Sequence, residues 1–117
     1  MNVATAGVYN FDYRVASSGS VGGNFHMEVD GVNVTGTLQV PNTGSWSTYQ
    51  TVTKTGVNLT AGFHLVKIVF DTSGPNGFSG NFNWFRATNA TPLAAVSMAS
   101  SAWRVSVAKY ARAASEL

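Results

Sequence analysis

Three features of this 117-residue chain predict an all-β domain built as an antiparallel β-sandwich. Charged residues make up only 10 % of the sequence against 44 % hydrophobic, so Gly, Ser, Thr and Asn carry most of the polarity. Several segments alternate apolar and polar side chains, the period of a half-buried strand. Clusters of Gly, Asn, Ser and Pro separate those segments at the spacing of a sandwich. Residues 92–117 break this pattern: they are rich in Ala, Ser and Val, and Pro92 marks the boundary. The expected organisation is one β domain over residues 1–91 and a C-terminal tail over 92–117, helical across 94–115.

The length supports one core, not two. Without cysteine, disulfides, thiolate metal sites and thiol nucleophiles are excluded. No apolar run approaches the length needed to span a bilayer, and residues 1–20 carry no signal-peptide pattern. In the body, Arg14, Lys54, Lys67 and Arg86 balance Asp12, Glu28, Asp30 and Asp71. The net +2 comes from Arg104, Lys109 and Arg112 against Glu116 in the tail. A neutral body is no nucleic-acid footprint, so neither nucleic acid nor membrane is expected as a partner.

Taken in order, Val8 to Ala16 reads as a strand with Tyr9, Phe11, Tyr13 and Val15 inward. Ser17 to Gly23 is a turn. Asn24 to Asp30 is a second strand, with Phe25, Met27 and Val29 inward and His26, Glu28 and Asp30 outward. Asp30-Gly31 predicts a type I′ hairpin, because Gly accepts the positive φ that turn requires. The return strand covers Val32 to Val40, with Val32, Val34, Leu38 and Val40 on one face and Gly36 at a bulge or close approach. Pro41 to Ser45 forms a loop into Trp46, and Ser47 to Thr55 a further strand. Gly56 to Gly62 is turn-like, with a short Val57-Asn58-Leu59 segment. Phe63 to Asp71 is the most apolar strand, expected to admit little solvent on either side. Ser73 to Gly77 is a long turn. Asn81 to Ala87 is the last strand, with Phe82 and Trp84 inward.

The inventory of reactive side chains is short. Glycosidase chemistry needs two carboxylates across a cleft. Asp12 and Glu28 are the available pair, and alternation makes them outward, solvated residues paired with bases such as Arg14. His26, Glu28 and Asp30 share one strand face but lie too far apart to meet one ion. His64 reads as a hydrogen-bonded structural histidine. Aromatic and amide residues are more informative. Turn residues place Trp46 at a loop tip or strand start, where an indole offers an apolar plane beside polar neighbours, a surface suited to a sugar ring. Trp46 as a plug for the end of the core is the other reading. Asn81, after the Gly77-Phe78-Ser79-Gly80 turn, sits where an amide reaches the rim.

Ala6-Gly7-Val8-Tyr9 leading into Tyr13-Arg14-Val15-Ala16-Ser17, then Val29-Asp30-Gly31 and Thr43-Gly44-Ser45-Trp46-Ser47-Thr48-Tyr49-Gln50-Thr51-Val52, resemble carbohydrate-binding module family 6. Ala61-Gly62-Phe63-His64 and Asn81-Phe82-Asn83-Trp84-Phe85 extend the likeness, which runs from about Val3 to Ala87. The resemblance implies a jelly-roll β-sandwich that binds polysaccharide such as xylan, β-glucan or agar without catalysis, appended to a secreted glycoside hydrolase. It makes Trp46 a sugar platform and Asn81 its amide partner, and moves Tyr49 towards the core. The early strands of the family, with its second cleft aromatic and calcium-binding acids, have no counterpart here. A structural calcium is the one cofactor the resemblance leaves open, and Asn83, where many members carry Asp, counts against it. The unpaired sheet edge left by those strands invites homo-oligomer formation, and residues 93–117 are expected to cover that surface. The competing reading is a structural or self-assembling sandwich without its ligand site.

Overall fold

The computed structural model describes residues 1–91. They form nine strands: β1 Asn2–Val3, β2 Gly7–Ala16, β3 Asn24–Val29, β4 Val32–Asn33, β5 Leu38–Gln39, β6 Gln50–Leu59, β7 Gly62–Phe63, β8 Val66–Phe70 and β9 Asn81–Asn89. Every pairing is antiparallel. One sheet runs β6-β2-β9; in the other, β3 lies between β8 and the broken partner β4 and β5; β1 and β7 form a short ribbon. The expected helix over 94–115, and the expected packing of residues 93–117, lie outside the described residues.

Alternation builds the core. Tyr9, Phe11, Tyr13 and Val15 from β2, and Phe25 and Met27 from β3, are completely buried. Their rings join the two sheets: Tyr13 meets Phe25 edge-on at 5.6 Å, and Phe25 meets Phe70 of β8 at 5.5 Å. Phe82 and Phe85 of β9 complete the group, packing on Tyr13 and Phe11. Such aromatic contacts add about 0.5–1.5 kcal/mol each beyond the area they bury.

The Asp30-Gly31 turn has φ 51° and 82°, the paired positive values of a type I′ hairpin. Beyond it, the expected continuous strand Val32 to Val40 breaks into β4 and β5. The cause is local: Asn33 Oδ1 accepts the N–H groups of Thr35 and Gly36, and Gly36 adopts φ 67°. Thr35 is thereby turned inward, where its hydroxyl accepts the buried Met27 N–H at 3.0 Å. Val32 projects from the hairpin tip into solvent, not onto the shared face with Val40.

Three further expectations are corrected. Val57 to Leu59 is no separate segment: β6 is one strand through Leu59, with a β-bulge opposite the Tyr9–Phe11 step and Gly56 at φ 76°. The apolar run Phe63 to Asp71 splits into β7 and β8. Phe63, in β7, is 84 % exposed and Leu65, between the two strands, 72 %; β8 pairs only with β3 among the described strands. Trp84 is not core. The β2–β9 register shifts between Arg14 and Val15, so Phe82 and Phe85 both point inward and Trp84 turns to the outer face beside Arg86.

Candidate functional site

One end of the sandwich is made by three loops that follow β2, precede β6 and precede β9. They are locked together through backbone. Val40 is buried, its N–H donates to Gly23 O, and its carbonyl accepts the Gly22 N–H. Gly23 N–H donates to Ser79 O at 2.8 Å, and Thr72 Oγ1 accepts the Asn24 N–H. The approach requires glycine: a Cβ on Gly23 would lie 1.8 Å from Thr72 O, and one on Gly74 2.2 Å from Val21 O. Ser17, completely buried, ties the Trp46 loop down, its carbonyl accepting the Thr43 N–H and its N–H donating to Thr43 Oγ1.

Trp46 stands on this base. Ser45 Oγ accepts the Ser47 N–H and Ser45 O the Thr48 N–H, turning the chain sharply around the indole. The side chain is 38 % exposed. Asn81 begins β9 opposite Ala16. Its Nδ2 donates to Trp46 O at 2.9 Å, so the two residues singled out from the sequence meet here. Asn81 is exposed and its Oδ1 is left to solvent. Phe78, which sequence reasoning treated as turn filler, completes the site. Its ring is 59 % exposed and meets the indole at 5.6 Å and 77°. The turn beneath it is preformed: Gly74 N–H donates to Phe78 O, and Asn76 Oδ1 accepts the Phe78 N–H. The signal that singled out Trp46, an aromatic isolated among turn residues, applies equally to Phe78. Tyr49 is half-buried and stands outside the core cluster.

Two aromatic planes at right angles with an amide oxygen beside them can hold a ring that has apolar faces and hydroxyl edges. Among the described residues, no carboxylate or histidine side chain is bonded to Trp46, Phe78 or Asn81. Asp12 and Glu28 lie on different sheets: Asp12 binds Arg86 at 3.1 Å and accepts from Thr53, while Glu28 binds His26 at 2.8 Å and Lys67 at 3.7 Å.

Both histidines are held by acceptors. His26 lies between Asp71 and Glu28, at 2.7 and 2.8 Å. His64 lies between Asp30, at 2.6 Å, and Thr60 O, at 2.7 Å. With both ring nitrogens donating, the cation is favoured. The bond to Asp71, then that to Glu28, raises the pKa of His26; Asp30, then Thr60, raises that of His64. The same bonds depress Glu28 and Asp30, each chiefly through its histidine. Among the described residues, no group of three His or carboxylate side chains is placed to hold a metal ion.

The sequence matches the model of carbohydrate binding module family 6 over residues 1–89. The chain belongs to carbohydrate binding module family 6. Modules of this family bind carbohydrate and are not catalytic. The C-terminal family 6 module of a marine laminarinase from Zobellia galactanivorans is 37 % identical, with a TM-score of 0.61 over 76 % of this chain and 67 % of that one. A family 6 module of Cellvibrio mixtus lichenase 5A, solved with cellotriose, is 38 % identical, with a TM-score of 0.54 over 78 % of this chain and 64 % of that one. A Clostridium cellulolyticum family 6 module, solved with xylose, is 35 % identical, with a TM-score of 0.58 over 73 % and 64 %. The Clotting factor G alpha subunit of Tachypleus tridentatus is 34 % identical over 85 residues. Those residues are 72 % of this chain and 12 % of that protein.

Proposed function

We propose that this family 6 module holds a polysaccharide at the loop end of the sandwich, with a sugar ring on Trp46, a hydroxyl on Asn81 and Phe78 as a side wall. The observation that carries this reading is the exposed Trp46 indole, set nearly perpendicular to a second exposed ring, with Asn81 Nδ2 donating to the Trp46 backbone carbonyl. An aromatic plane left open beside an unsatisfied amide oxygen gains most by stacking on a ring that also offers hydroxyls. The family assignment, and relatives solved with cellotriose and with xylose, support β-glucan or xylan as the target class; agar-like glycans are a third candidate. In this reading the module spans residues 1–91, acts outside the cell and anchors an attached glycoside hydrolase to its substrate. Affinity electrophoresis in gels containing laminarin or xylan tests the site. Trp46→Ala is expected to abolish retardation of a protein that is otherwise folded; a variant retarded as strongly as the native chain rejects the site.

Self-association is a second reading, favoured by the β8 edge. Asp30 N–H donates to Leu65 O and Asp71 N–H to Asn24 O. In an antiparallel ladder this turns the N–H groups of Val66, Ile68 and Phe70 away from β3, an edge with no partner among the described strands, flanked by exposed Phe63 and Leu65. Light scattering is expected to give a dimer that Ile68→Pro dissociates without melting the β3–β8 pairing; a monomeric native protein rejects it.

A further inference from the structure

The outer face of the β6-β2-β9 sheet carries an arrangement that the loop site does not use. The bulge at Asn83 brings Trp84 onto this face, directly across from Arg14 of β2, which is in turn across from Thr51 of β6. The next row is Arg86, Asp12 and Thr53. Arg86 is held by Asp12 and rests its guanidinium 5.4 Å from the indole centroid, a cation–π contact that fixes both groups.

Arg14 differs from its neighbours. Asp12, Glu28, Asp30 and Asp71 are each committed to an ion pair with Arg86, Lys67 or a histidine. Among the described residues Arg14 has no acid, and its hydrogen bond, 3.1 Å from Nη1 to Thr51 Oγ1, goes to a neutral hydroxyl. Its cross-strand neighbour is Trp84, and both side chains are partly exposed, which leaves the rest of the planar fork of donors available. A surplus guanidinium adjoining an aromatic plane, with threonine hydroxyls along the strand, matches a sugar ring that bears a carboxylate.

We propose that this face is a second glycan-binding surface for an anionic sugar residue, a uronic acid stacked on Trp84 with its carboxylate on Arg14. Successive rows are two residues apart along the strands, about 6.8 Å, so an extended polymer can lie across them. The inference is independent of the Trp46 reading, and the two surfaces are separable by mutation.

The test uses the 117-residue protein in affinity gels containing polygalacturonate, dextran sulfate or laminarin. Polygalacturonate is expected to retard the native protein, less so as salt is raised. Arg14→Gln is expected to weaken that retardation about tenfold, the loss of one charge-assisted contact, while retardation by laminarin and the melting temperature stay unchanged. Arg14→Lys, which keeps the charge but loses the fork, is expected to fall between. Trp46→Ala leaves polygalacturonate binding intact. Overturning results are no retardation of the native protein by polygalacturonate, full retardation of Arg14→Gln, or loss of polygalacturonate binding in Trp46→Ala. Retardation by dextran sulfate alone would also overturn the uronate assignment, in favour of a sulfate ester. Should Arg14→Gln melt early, Trp84→Thr replaces it, read against the same outcomes.

Discussion

Replacing Gly23 with alanine is expected to loosen the whole loop end of the molecule. The added Cβ falls 1.8 Å from Thr72 O and 2.9 Å from Thr72 C, both backbone atoms that no side-chain rotation can move aside. Ordinary contact needs roughly twice the first separation, so the chain around Thr72 must shift by more than 1 Å. That shift breaks the bonds from Gly23 N–H to Ser79 O and from Asn24 N–H to Thr72 Oγ1. Overpacking costs about 1–3 kcal/mol and each lost bond about 1 kcal/mol, giving a loss of about 3–5 kcal/mol. For a domain of this size the melting temperature falls by at least about 12 °C. Gly19→Ala is the control. Unlike Gly23 it has a positive φ, 84°, but nothing lies within 4 Å of its Cβ, so only backbone strain of about 1–2 kcal/mol applies. Calorimetry of both variants decides the matter. If Gly23→Ala melts no lower than Gly19→Ala, the loops are not locked as described.

Two further outcomes are expected. The His26 and His64 clusters give stability a maximum between about pH 5 and 6.5. The raised histidines contribute fully below their unfolded value, and that contribution is lost as pH rises through the folded one; the depressed Glu28 and Asp30 contribute above their unfolded values, and that is lost as pH falls. Melting curves from pH 4 to 9 follow this, and His64→Asn should flatten the alkaline limb; an unchanged limb in a variant with both histidines replaced rejects the assignment. Thr35→Val strands the buried Met27 N–H and is expected to cost about 1–3 kcal/mol by urea titration; a neutral effect would mean the amide finds another partner.

The body strands were legible because their aromatic alternation is strict. Tyr9, Phe11, Tyr13 and Val15 of β2, and Phe25, Met27 and Val29 of β3, leave one choice of inward face. Legibility stopped where one residue breaks the period. Gly56 hid the continuity of β6, and the extra residue at Asn83 reversed Trp84, since a bulge flips every later side chain of a period-two pattern. The split of the Phe63 to Asp71 run was invisible for another reason: hydrophobicity marks a strand but does not say whether a neighbour covers its edge. Trp46 and Asn81 were found as separate rim residues. Their mutual hydrogen bond joins positions 35 residues apart and leaves no local signature.

The site itself is tested most directly by following the indole N–H resonances in a titration with a laminari- or xylo-oligosaccharide. Trp46 and Trp84 occupy different surfaces, so their signals report separately. A neutral oligosaccharide is expected to shift the Trp46 indole and the Asn81 side-chain amide together in a saturable manner, leaving Trp84 unmoved. A saturable shift confined to Trp84, with Trp46 and Asn81 unaffected, would contradict the account and move carbohydrate binding off the loop end.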